Sequence, residues 1–169
     1  IEKFKSRLCA QGFNQVYGKD FHETFAPVVR SNTTRLMLAM CVLRNYKPYH
    51  YDIKSAYLYS KIDEELYMRI PAGYFEIMEK RKPTGMDHVV MKLLLSLYGT
   101  KQAGHNWHEV FKNWLLDIGF KQSKIEPCLF SMKKEANMVY LTCYVDDVNF
   151  YCKTNKERCW FEDLFVKRF

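Results

Sequence analysis

Apolar residues recur along this chain with two different periods. Trp107, Val110, Phe111, Trp114, Leu115 and Ile118 fall at i, i+3, i+4, i+7, i+8 and i+11, the stripe that one face of a helix presents to a core. Gly119 follows where a helix-terminating glycine belongs, so the spacing predicts a helix from about Lys101 to Ile118. A helix of about three turns is expected behind the capping candidates Ser31 and Asn32, with Leu36, Met40 and Leu43 on its inner face and Pro48 ending it. A third is expected over Asn155–Phe169, capped by Thr154 or Asn155, with Leu164 and Phe165 inward.

Elsewhere the pattern is that of strands. Met138–Val145 and Val148–Lys153 are β-rich runs separated by Asp146-Asp147, which makes a hairpin with two acids at its turn. Tyr49–Ile53 reads as a short strand. Glu65–Ile70 reads as another, with Leu66, Met68 and Ile70 on one face and Pro71-Ala72-Gly73 closing it. Lys3–Phe13 mixes basic and apolar residues and suits a strand or an extended arm, whereas Val89–Leu97 is equally a strand or a buried helical segment. Glu79–Asp87 has the composition of a connecting loop, and no internal repeat is visible. Such a mixture of helices and hairpins is an α/β (α+β) pattern.

Composition narrows the classes. At 169 residues, 48% apolar and 16% aromatic, the chain has the length of one domain, residues 1–169, and can bury a core without disulfides. The longest unbroken apolar run, Leu36–Leu43, is eight residues, well short of the ~20 needed to span a bilayer, and no apolar stretch follows the charged start, so neither a membrane nor a secretory role is expected. Net charge is +7, with five of the seven excess charges in residues 1–85, which favours a polyanionic partner. Cys9, Cys41, Cys128, Cys143, Cys152 and Cys159 never form a C-x-x-C pair; they read as buried thiols of a reducing compartment rather than zinc ligands.

Two features could carry chemistry. Adjacent carboxylates such as Asp146 and Asp147, pinned between apolar strands, repel one another, and a divalent cation would supply the missing counter-charge; a solvent-exposed Asp-Asp turn is the competing reading. Asp52 ends another strand 94 residues upstream of Asp146. If folding joins the two strand ends, three acids have the number and type for magnesium-dependent nucleotidyl transfer.

Beyond these acids, a series of motifs runs through nearly the whole chain. Arg7-Leu8-Cys9-Ala10-Gln11-Gly12-Phe13 is similar to an R-L-V-A-x-G-F motif, Thr24 to Arg30 to T-F-A-P-V-V-R, and Asp52-Ile53-Lys54-Ser55-Ala56-Tyr57-Leu58 to D-V-K-x-A-[FY]-L. Glu65 to Tyr74 follows E-x-Y-M-x-x-P-x-G-[FY], Leu97 to Trp107 follows L-Y-G-L-K-Q-A-P-R-x-W, and Tyr144-Val145-Asp146-Asp147 matches a Y-V-D-D box. In this order they resemble the reverse transcriptases of copia-type long-terminal-repeat retrotransposons.

The resemblance implies a fingers and palm fold, with an antiparallel palm sheet packed on helices, truncated at both ends and lacking the thumb. It implies Asp52, Asp146 and Asp147 as catalytic metal ligands for two Mg²⁺ ions, replaceable by Mn²⁺, with Asp147 the less direct. Tyr57 would gate the sugar, Gln102 would line the nucleotide pocket, and Lys5 and Arg7 would reach the triphosphate. The implied partners are an RNA or DNA template-primer, a deoxynucleoside triphosphate (dNTP) and the remainder of a Pol polyprotein, with its ribonuclease H and integrase. The implied location is cytoplasmic, in a virus-like particle. Gly104-His105 replaces the usual Pro-Arg, Thr100 a leucine, and Tyr59-Ser60 an Asn-Gly. Competing readings are a catalytically inactive or domesticated nucleic-acid-binding remnant and a metal-dependent nuclease.

Overall fold

The computed structural model describes residues 6–78, 85 and 89–169. In chain order its elements are α1 (Ser31–Arg44), β1 (Lys47–Asp52), β2 (Tyr67–Arg69), α2 (Tyr74–Ile77), β3 (Val90–Lys92), α3 (Ala103–Asp117), β4 (Lys121–Gln122), β5 (Leu129–Lys134), β6 (Asn137–Tyr144), β7 (Asp147–Cys152) and α4 (Asn155–Arg168). Five strands form one antiparallel sheet in the order β1-β7-β6-β5-β4, while β2 and β3 pair as a separate ribbon. The α/β expectation of an antiparallel sheet packed on helices therefore holds.

Strand alternation divides the sheet into two faces. Val139, Leu141 and Cys143 of β6 and Val148, Phe150 and Cys152 of β7 point to one of them, all buried. Against it pack Trp107, Phe111 and Leu115 of α3 and Phe161 and Phe165 of α4, and Phe161 stacks on Phe150 at 4.3 Å between ring centroids. Each such buried side chain contributes about 1.5–3 kcal/mol of transfer free energy, so this face supplies most of the core. On the opposite face α1 covers Tyr151 and Tyr140 with Met37 and Cys41.

The stripe predicted for α3 is the one observed, with Val110, Trp114 and Ile118 half-buried at its edges. In α4 the cap is Thr154, in a reciprocal capping box with Glu157. Phe165 points inward as expected; Phe161, not Leu164, is its fully buried partner. In the ribbon, Leu66, Met68 and Ile70 do share the inner side, although the strand itself is only Tyr67–Arg69.

Helix α1 departs from expectation. Leu36 and Leu43 lie on its exposed side; Met37 and Cys41 are buried, and of the three expected inward residues only Met40 packs, half-buried, against them. Residues 36–43 are apolar all round, so no polar face fixes the helix's rotation, and packing on Tyr151 decides it. The helix starts without a side-chain cap and ends at Asn45, whose left-handed φ of 57° closes it before Pro48 is reached. Pro48 instead lies in β1, an edge strand where a missing N–H is tolerated.

Strand β5, unforeseen because its L-F-S-M-K-K sequence alternates poorly, is held by Phe130 opposite Leu141. Of Val89–Leu97 only Val90–Lys92 is strand. No strand forms over residues 6–13; the segment runs into a 3₁₀ turn at Gly12–Asn14 and is tied down where the Ala10 N–H donates to the Tyr98 carbonyl at 2.7 Å. Nearly all of the Glu79–Asp87 loop lies outside the described residues. Cys41, Cys128, Cys143 and Cys152 are buried as expected, but Cys9 and Cys159 are exposed. Among the described residues, no helix is long and apolar enough to cross a membrane.

Candidate active site

Asp52 is the last residue of β1 and Asp147 the first of β7, and the two are direct cross-strand partners. They therefore share one face of the sheet. One step further on, the Ile53 N–H donates to the Asp146 carbonyl at 3.0 Å. Segments 94 residues apart in sequence are thus locked in a single register.

The turn is made by Val145 and Asp146, not by the Asp146-Asp147 pair, since Asp147 already belongs to β7. Val145 adopts φ 55°, a left-handed conformation that costs a β-branched residue about 1–3 kcal/mol. What holds it is visible: the Trp107 indole N–H donates to the Val145 carbonyl at 2.8 Å, from a ring only 2% exposed in the core. The strained turn presents Asp146 at the rim while Asp52, at the end of the edge strand, is exposed.

His50 stands beside the acids. Its Nε2 lies 3.3 Å from Asp147 Oδ1 and its Nδ1 3.2 Å from Asn149 Oδ1. With Arg35, Thr34 and Tyr144 these residues line an open cleft of about 390 Å³ between α1 and the sheet. The oxygens of Asp52, Asp146 and Asp147 are not all gathered within 4.8 Å of one another, and Asp147 is engaged by His50.

Tyr57 sits on a 3₁₀ turn, Ala56–Tyr59, launched by Ser55 at φ 56°. Its half-buried ring meets Tyr98 edge-on at 4.8 Å. Burial, and then the nearby charge of Asp146, push its hydroxyl above the usual tyrosine range. The guanidinium of Arg7 lies 5.8 Å over the Tyr98 ring. Arg7, Tyr98, Tyr57 and Asp146 thus follow one another along one side of the site. Tyr98 was overlooked in sequence although it lies inside the L-Y-G motif; its signal is Gly99, whose φ of 89° and 2.1 Å approach of a built Cβ to the Ala10 carbonyl leave no room for a side chain.

Gln102 is the residue just before α3. It is 2% exposed, its Nε2 donates to the Asp20 carbonyl at 2.9 Å and to Glu64 Oε2 at 3.2 Å, and its Oε1 accepts from Gln15 Nε2 at 2.9 Å. The amide ties the N-terminal arm to the start of α3. The Gly104-His105 departure also has a structural account: His105 Nδ1 lies 2.8 Å from the Phe25 carbonyl, and the missing side chain at Gly104 admits Ala26. Lys5 lies outside the described residues.

Comparison with known proteins identifies the family. The family model described as "Reverse transcriptase (RNA-dependent DNA polymerase)" matches residues 1–169. The chain is 36% identical over 148 residues to the retrovirus-related Pol polyprotein from transposon RE1 of Arabidopsis thaliana, covering 88% of this chain and 10% of that protein. It is 35% identical over 149 residues to the Pol polyprotein from transposon TNT 1-94 of Nicotiana tabacum, covering 88% of this chain and 11% of that one. To the transposon Ty1-ER2 Gag-Pol polyprotein of Saccharomyces cerevisiae it is 34% identical over 155 residues, 88% of this chain and 8% of the relative. No solved structure matches. The chain spans about a tenth of the length of these relatives. With two remote strands bringing Asp52 to the Y-V-D-D turn and a family match over every residue, the chain belongs to the reverse transcriptases of retrotransposon Pol polyproteins.

Proposed function

We propose that residues 1–169 form the fingers and palm unit of an RNA-directed DNA polymerase that acts within a longer Pol polyprotein, extending a primer on an RNA or DNA template. The observation that carries the reading is the β1–β7 register, which sets Asp52 against Asp147 beside the strained turn bearing Asp146. In the reaction the primer 3′-hydroxyl attacks the α-phosphorus of a dNTP and pyrophosphate leaves.

The acids are hard oxygen donors open to solvent, which is the chemistry magnesium prefers. Asp52 and Asp146 would hold the ions with Asp147 behind them, and bound magnesium would lower the pKa of the attacking hydroxyl and neutralise the triphosphate. The protein's own groups position. Tyr57 offers a ring edge on which a deoxyribose rests and a 2′-hydroxyl clashes; Tyr98 braces that ring; Arg7 pairs phosphate oxygens in a fork geometry that a lysine lacks.

Primer extension by the full-length polypeptide tests this: magnesium-dependent growth of the product that disappears in Asp146→Asn supports the polymerase. Shortening of the primer in its place would identify a nuclease. A second reading, a nucleic-acid-binding remnant without synthesis, is favoured by one observation, the sequestration of Gln102. It predicts binding of template-primer with no extension by the unaltered protein.

A further inference from the structure

Outside the acid turn, one cluster of ligating side chains has no part in the proposed reaction. His108 on α3, Cys128 just before β5 and Cys143 near the end of β6 are all buried, and one His ring nitrogen and the two sulfurs lie within 4.8 Å of one another. Cys128 and Cys143 face each other across the β5–β6 pair, where the Cys143 N–H donates to the Cys128 carbonyl at 3.1 Å, and α3 lays His108 over them. In sequence they are 15 to 35 residues apart, on α3, just before β5 and on β6, which is why no C-x-x-C spacing announced them.

We infer that His108, Cys128 and Cys143 form a binding site for a thiophilic divalent ion, zinc foremost, that clamps α3 to the β5–β6 hairpin. Ligands bound at 2.0–2.3 Å stand ~3.3–3.8 Å apart around a tetrahedral ion, so side-chain adjustments of about an ångström close the cluster. A narrow void of about 20 Å³, bordered by His108 and Cys143 and walled by Trp107 and Phe111, lies against it; one water needs about 10–15 Å³, so a fourth ligand has room.

Charge balance selects the ion. Two thiols and a neutral imidazole carry no charge, and burial favours that imidazole form by holding His108 below the usual range. On binding, each thiol loses its proton to solvent and gains a sulfur–metal bond, and two thiolates with one divalent cation are again neutral, which a buried site requires. A monovalent soft ion would leave a net negative charge, and magnesium prefers oxygen. Cys143 lies three residues before Asp146, and Trp107, next to His108, holds the Val145 carbonyl. The ion would therefore brace the strained turn from behind without touching the acids.

The test uses the full chain, reduced, titrated with Co²⁺ and with Zn²⁺. The expected result is one ion per chain, the thiolate-to-cobalt charge-transfer band with the visible bands of a four-coordinate ion, and two protons released per zinc. X-ray absorption of the zinc form should show two sulfurs near ~2.3 Å and a nitrogen near ~2.0–2.1 Å. Cys143→Val, which keeps an apolar side chain and so separates ligand loss from misfolding by circular dichroism, should weaken binding at least about 100-fold, as should Cys128→Ala and His108→Phe. Cys159→Ser, at an exposed position, should leave it unchanged. The inference is overturned if the folded, reduced protein shows no cobalt–thiolate band, if that band survives Cys143→Val at undiminished affinity, or if protein purified under reducing conditions holds a Cys128–Cys143 disulfide.

Discussion

The two faces and edges of the central sheet are built to opposite specifications. Between the sheet and α3 and α4, aromatic rings stack down to complete burial, with Phe111, Phe150 and Phe161 at most 1% exposed and Leu115 buried beside them. At the end of β1 and the start of β7, by contrast, three carboxylates share an open rim, and the β6–β7 turn that carries Asp146 is strained at Val145. The first region lowers the free energy of the fold and the second raises it. Trp107 joins them, its ring in the core and its N–H on the strained turn. Packing in the first region offsets the cost of the second, and one side chain shows where the two regions meet.

Substitutions can break this contrast in order of effect. Asp146→Asn should lower primer extension by the full-length polypeptide at least ~10³-fold, about 4 kcal/mol in the transition state, while urea unfolding of the chain shows no loss of stability; a drop in both would mean that the acid supports the fold. Phe161→Ala should do the reverse, costing ~3–5 kcal/mol in denaturant unfolding by removing a stacked core ring.

A third substitution probes how the arm is seated. A Cβ added at Gly12 would meet the Gly99 carbonyl at 1.9 Å, so Gly12→Ala should destabilise by about 1–3 kcal/mol and, by displacing Arg7 and Tyr98, raise the KM for dNTP more than it lowers kcat. The smallest effect lies at the cap of α4. Thr154→Ala removes half of the α4 capping box and should cost about 1 kcal/mol.

The same box carries a pH dependence. Burial pushes Glu157 up, but hydrogen bonds from the Asn137 side chain and the Thr154 and Lys153 N–H groups outweigh it and hold the carboxyl below its ordinary value of 4.5. A group depressed on folding stabilises the native state above its unfolded pKa, and that stability is lost as the pH falls through the folded pKa. Thermal midpoints measured from neutral pH down into the acid range should fall below about pH 4.5, and Glu157→Gln should flatten part of that fall.

Where one face of an element differs from the other in polarity, the sequence was enough. The α3 stripe, the β6–β7 hairpin and the Thr154 cap were all legible because period and local hydrogen bonding decide them. Helix α1 was legible as a helix but not in its rotation, because residues 36–43 are apolar on every side. Strands β4 and β5 were missed because a two-residue and a half-polar strand have no period to read, and they exist only as partners of β6. At the candidate site the acids and Tyr57 were visible as types in motifs. The burial of Gln102 and the place of Tyr98 were not, since both follow from how the arm at residues 10–20 docks on the turn before α3.

By itself, then, the order of residues determined the helices with a polar side, the hairpin, the set of acids and the family to which they belong. Only the tertiary structure decided that Asp52 pairs with Asp147, that Trp107 holds the strained turn, and that His108, Cys128 and Cys143 come together. Local pattern is written in neighbours a few positions apart, where sterics and periodicity act directly. Contacts across 15 to 94 residues are set by strand register and by which faces pack, and those are properties of the whole chain minimising its exposed apolar surface at once.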